Sequence, residues 1–133
     1  MNYQTPYYPK RPIKSFQDLE VYQKLLAVSV AITKKIKSDK ITTMILDLPV
    51  KIATAHSLRF GDQTRAIEAL EEVMLNCNIL VVYLEQYRDI ENKNIEPEFF
   101  EEQIKSLLST RMKILHLQNS WKKFAKEYKE YAK

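Results

Sequence analysis

Residues 62–90, DQTRAIEALEEVMLNCNILVVYLEQYRDI, decide the fold. Ile67, Leu70, Met74, Cys77, Val81 and Leu84 recur at alternating spacings of three and four, and Ala66, Val73, Leu80 and Tyr87 form a second row beside them. Such spacing gathers apolar side chains on one side of a helix. The two rows together make a face too broad for one partner, so at least two neighbouring helices must cover it. Glu68, Glu71, Glu72, Glu85 and Arg88 fall between the rows and mark the solvent side. A helix of this extent is roughly 40 Å long at about 1.5 Å per residue, and the remaining helices are expected to match it.

The rest of the chain supplies those neighbours. The 133 residues are 45% hydrophobic, enough for one domain with a core and too few for two. One glycine and five prolines leave almost no turn chemistry for hairpins, which excludes an all-β or βαβ reading. The expected fold is therefore all-α, an antiparallel up-down four-helix bundle over residues 15–133, with helices at about 16–37, 41–59, 63–90 and 97–131. Ser15 and Asp18 have the spacing of a capping box at the first helix, whose buried face takes Leu19, Tyr22, Leu25, Leu26, Val28, Ile32 and Ile36. Lys34, Lys35 and Lys37 complement the dipole at its end, a reading preferred to a phosphate site. The second helix turns Met44, Ile45, Leu48, Ile52 and Ala55 inward and is expected to kink near 45–48 because Pro49 lies inside it. Gly61 is expected to end that helix in a left-handed conformation, with Asp62 capping the next. Pro97 opens the last helix, whose stripe of Phe100, Ile104, Leu107, Ile114, Leu117, Trp121, Phe124 and Tyr128 is interrupted by Arg111 and Gln118. Beyond Ser120 that helix alternates aromatics with lysines and is expected to project past the bundle.

Charge is uneven. The net charge of +4 divides into +3 over residues 1–14, +3 over residues 120–133 and −2 between them. Basic ends suit a polyanion such as nucleic acid, and are equally common on soluble bundles. Residues 1–14 read as an extended arm, with Pro6, Pro9 and Pro12 among Tyr3, Tyr7, Tyr8, Lys10 and Arg11; it either dangles, stacks on bases or docks on a neighbouring subunit. It lacks the apolar core of a signal peptide and no apolar run is long enough to cross a bilayer, so a cytoplasmic protein is expected. Cys77, the single cysteine, reads as a buried core thiol, which excludes disulfide and zinc frameworks.

The sequence holds no recognisable catalytic pattern. Ala53 precedes His56 by three and Lys113 precedes His116, so neither histidine completes the Glu-x-x-His pair of a di-metal bundle. Glu71/Glu72 and Glu101/Glu102 are adjacent and point to different sides of a helix, where they cannot converge as acid and base. With one glycine there is no phosphate loop, and neither Ser57 nor Ser120 lies in a nucleophile elbow. The expectation is a protein that is not an enzyme and takes no metal or cofactor.

Phe16-Gln17-Asp18-Leu19-Glu20-Val21-Tyr22-Gln23-Lys24 resembles the opening of the small four-helix-bundle proteins encoded in intervening sequences of bacterial large-subunit ribosomal RNA genes. Leu48-Pro49, followed by Ile52-Ala53, is similar to the proline-containing second helix of that group. The third and fourth helices, with Ser120-Trp121, resemble the related accessory variability determinant of diversity-generating retroelements, and the likeness spans about Ser15 to Phe124. Lys51, Thr54 and Ala55 depart from the ribosomal-intron pattern, which has Asn and then Glu-Gly at those places. The resemblance implies a homopentameric barrel of bundles, basic on its surface, that binds the reverse transcriptase and template RNA and is needed for mutagenic complementary DNA synthesis. The alternative is a stand-alone bundle of the ribosomal intervening-sequence type, structural or nucleic-acid-binding, without a polymerase partner. By charge and placement alone, the candidates for binding RNA, DNA or the polymerase are Lys51, Arg59 and Arg65 around the second-to-third helix turn, and Arg111, Lys122, Lys123 and Lys126 along the last helix.

Overall fold

A computed structural model describes residues 13–91 and 94–131, and among these every regular element is helical. A short 3-10 turn, Phe16–Asp18, precedes α1 (Glu20–Lys35), α2 (Asp39–Leu58), α3 (Gln63–Ile90) and α4 (Pro97–Tyr131). The arm lies outside the described residues up to position 12, as does the side chain of Tyr128.

Cross-helix contacts fix the topology. Lys51 of α2 meets Glu72 of α3, and Lys40 lies over the Tyr83 ring, so these helices run antiparallel. Gln63 meets Trp121 and Tyr87 meets Phe100, which sets α4 antiparallel to α3. Glu20 pairs with Lys113 at 2.8 Å and Lys35 lies over Phe99, which sets α1 antiparallel to α4. Each helix therefore packs on two neighbours, and among the described residues neither diagonal pair is in backbone contact. The result is a four-helix bundle with α3 lying between α2 and α4, the two neighbours its broad apolar face requires.

Within α3, Ala66, Leu70, Val73, Met74, Cys77, Leu80 and Leu84 are buried as the spacing predicts, while Ile67, Val81 and Tyr87 flank them half-buried. Glu71 and Glu72 diverge as expected, one toward α4 and the other toward α2, but both are engaged there rather than merely solvated. Asp62 caps the helix by accepting from the Arg65 N–H at 3.2 Å.

Several expectations are corrected. The first helix does not begin at the capping box: Ser15 and Asp18 close the 3-10 turn, and Leu19, extended at φ −73° and ψ 129°, breaks the chain before α1. The helices do not match in length, at 16, 20, 28 and 35 residues in chain order, because the break shortens α1 at its start and Ile36, again extended, ends it. Leu26 is 42% exposed, since it follows Leu25 around the helix onto the outer side. The second helix starts two residues earlier than expected, because Ser38 caps it by accepting from the Ile41 N–H. Pro49, by contrast, lies inside α2 as the sequence places it, and is buried there. Gly61 is not left-handed. The turn closes through Arg59 in the right-handed region, with the Asp62 N–H donating to the Leu58 carbonyl at 2.8 Å, so no positive φ is needed.

The largest correction concerns α4. Its inward row is Phe100, Gln103, Leu107, Thr110, Ile114 and Gln118, so polar side chains alternate with apolar ones inside the bundle. Gln118 does not interrupt the packing. Its amide donates to the Ile67 carbonyl at 3.2 Å and to Glu71 Oε2 at 2.8 Å, which satisfies a polar group that burial would otherwise penalise. Among the described residues no helix is long and apolar enough to cross a membrane.

Candidate functional site

The α2–α3 turn occupies one end of the bundle, and α4 passes beside it. The Gln63 amide donates to the Trp121 carbonyl at 2.8 Å, so the first residue of α3 is stapled to α4, and the residues of α4 that follow run past the start of α3. There they meet the turn instead of a helix face. A groove forms between the two, lined on one side by Arg59, Phe60, Asp62, Gln63, Ile67 and Glu68 and on the other by Ser120, Trp121, Lys122, Phe124 and Lys126.

Half-buried Trp121 lines the groove, and a buried ring lies near it. His56, 8% exposed, lies 6.4 Å from Trp121 between ring centroids. Burial pulls the His56 pKa below its ordinary value, and the neighbouring Arg59 charge adds to that, both favouring the neutral imidazole. Arg59 donates to the His56 carbonyl, stands 3.1 Å from His56 Nδ1 and lies 4.2 Å from the Phe60 ring centroid. The guanidinium is thereby fixed rather than free to sweep. Burial lowers its pKa too, from a value so high that it stays charged.

The rim is more open. Phe60 is 72% exposed and Phe124 54%, with their ring centroids 6.0 Å apart and the planes tilted by 55°. Phe124 continues the apolar spacing of α4 but is exposed, because α4 has already outrun α3 at that point. Lys122, Lys123 and Lys126 are exposed and pair with no acid whose side chain the structure describes. Among the side chains described, the acids lining the groove are Asp62, which is occupied with the Arg65 N–H and its guanidinium 3.9 Å away, and Glu68.

Of the seven candidates read from charge, the structure brings Arg59, Lys122 and Lys126 into one groove, with Lys123 beside them on α4. Arg65 stands in the first turn of α3 and does not line it. Lys51 belongs elsewhere: it bridges Asp47 at 3.2 Å and Glu72 at 3.1 Å, and the hydrogen bond to Glu72, then that to Asp47, raises its pKa against the opposing pull of burial. Its charge is already spent within the bundle. Arg111 lies some three turns back along α4, about 15 Å from Trp121 by helical rise, with its buried Nε lacking a hydrogen-bond partner among the described residues. The Arg111 charge reaches Cys77, yet burial dominates and pushes that thiol up to about 12, leaving it an inert core group.

Charge counting missed Phe60, which carries the most exposed ring of the groove. The available signal is its position: an aromatic between Arg59 and Gly61, in a link too short to fold back, has no core to enter.

Among the described residues no cluster of three or more His, Cys, Asp or Glu side chains is placed to hold a metal ion. The arrangement offers an anchored guanidinium and long-stemmed lysines next to exposed aromatic rings, which is binding chemistry for a planar, anionic ligand. Neither a family model, nor a curated protein, nor a solved structure matches the chain.

Proposed function

We propose that this chain is a non-catalytic accessory protein of a diversity-generating retroelement, which binds the reverse transcriptase and its template RNA or complementary DNA and supports mutagenic reverse transcription. The observation that carries the polyanion half of this reading is the convergence of Arg59, Lys122 and Lys126 in the groove between the α2–α3 turn and α4. Two chain segments far apart in sequence deliver cations to one place, and each cation that neutralises a phosphate releases a counterion and so strengthens binding at low salt. The polymerase partner and a homopentameric assembly rest on the resemblance of residues 15–124 to the accessory variability determinant group.

The test is co-purification of the tagged chain with the reverse transcriptase encoded nearest to it, with and without template RNA, the mass being read by light scattering. A complex of the polymerase with a pentamer supports the proposal, and reversing Lys122 and Lys126 to glutamate then weakens RNA retention. An assembly that ignores both polymerase and RNA defeats it and leaves a stand-alone bundle of the ribosomal intervening-sequence type.

A further inference from the structure

We infer that Phe60 and Phe124 form a stacking platform for the bases of single-stranded nucleic acid, with the neighbouring cations holding its backbone. This rests on the polyanion reading of the same groove and names the strand it takes.

The placement of aromatic surface carries the argument. Phe16, Tyr22, Tyr83, Tyr87, Phe99 and Trp121 are half-buried and Phe100 is fully buried, so among the side chains the structure describes, which stop at Lys126, Phe60 and Phe124 are the two exposed aromatics. Both come to the same end of the bundle, 6.0 Å apart, although one belongs to a turn and the other to a helix 64 positions later. Folding gains little from leaving two large apolar rings this exposed. Exposed apolar residues elsewhere on the flanks, such as Leu46, Val50, Leu75 and Val82, are aliphatic and offer no π face.

Cations select the ligand. Arg59 sits on the Phe60 ring and is held there by the His56 carbonyl, which presents a flat guanidinium and a flat ring as one rigid pair. Lys122 and Lys126 line the same groove on long, flexible stems. Stacked aromatics beside backbone-tracking cations are the recurrent means of binding a strand whose bases are splayed out, and they work with any base because every base has a π face. A duplex keeps its base faces stacked on one another and can meet only the cations.

The test uses the full chain and fluorescence anisotropy with labelled oligo-uridine, oligo-thymidine and a duplex of the same length, with circular dichroism as a check on folding. The expected result is that both single strands bind more tightly than the duplex, whichever of the two is preferred. Phe60→Ala and Phe124→Ala each lose on the order of tenfold in single-strand affinity with no change in salt dependence, duplex binding is unmoved, and Phe60→Trp retains affinity. Lys122→Glu with Lys126→Glu instead flattens the salt dependence for all three probes. If both alanine variants bind as the native chain does while the lysine reversals weaken binding, the platform is overturned and the polyanion reading stands. Equal loss on single strand and duplex also overturns it. If no probe binds the native chain, both fall.

Discussion

The two ends of the bundle use the same pairing of cation and ring for opposite purposes. At the end where α1 meets α2 and α3 meets α4, Lys35 lies 5.1 Å from the Phe99 centroid and Lys40 lies 4.1 Å from that of Tyr83. Those rings are half-buried against the core, Tyr87 receives the Lys37 N–H, and Phe99, Phe100 and Tyr87 touch in series. The lysines there cover rings that the fold has already used. At the other end Arg59 covers Phe60, but Phe60 and Phe124 face outward. A cation over a ring is therefore no sign of function by itself; what separates the ends is whether the ring still has surface to give.

The strongest way to break this contrast is to delete one ring at each end. Phe100→Ala is expected to cost about 3–5 kcal/mol, since the ring is fully buried and leaves a cavity. Phe60→Ala is expected to stay within about 0.5 kcal/mol, and urea unfolding of the two variants compares them directly. A comparable loss at Phe60 would show that the open end is structural after all.

Gln118 lies under the open end, and Gln118→Ala removes its bonds to α3, with an expected cost of about 1–3 kcal/mol in the same unfolding experiment. A neutral result would mean that Glu71 and the helix backbone do not depend on it.

His56 makes the open end acid-sensitive. Its pKa is lowered on folding, so the unfolded chain takes up the proton first: the stability it contributes is whole above the ordinary imidazole value of about 6.5 and is lost as pH falls through the folded value. Unfolding midpoints measured from neutral to mildly acid pH should fall less steeply in His56→Gln than in the native chain. Parallel profiles would remove His56 from the account.

The smallest effect is expected at Gly61. Its φ is not positive, and the space a methyl group would take has no atom within 4 Å beyond its own chain neighbours. Gly61→Ala should therefore stabilise by about 0.4–1 kcal/mol through the unfolded chain, raising the urea midpoint. Destabilisation would restore the left-handed turn that the sequence suggested.

That glycine illustrates where sequence reading stops. The α3 seam was legible because its apolar spacing and its burial coincide almost residue by residue. The α4 row was not, because Gln103, Thr110 and Gln118 are polar and register as gaps until a partner across the interface is known. The groove was half legible: charge and placement found Arg59, Lys122 and Lys126, but only the axial offset between α4 and α3 brings Phe124 to Phe60. An offset between helices is a property of two segments at once, and no periodicity within one of them records it.

The alternating polar row on α4 accordingly acts as a vernier. Sliding α4 by one turn, about 5.4 Å, would pull Gln118 off the Ile67 carbonyl and set buried amides against hydrocarbon, so misaligned bundles are penalised from within the core. The same slip would carry Phe124 out of reach of Phe60. Alignment at the groove is thus proofread from inside the bundle, and a mutation at a buried polar position of α4 is expected to part the two rings without altering either of them.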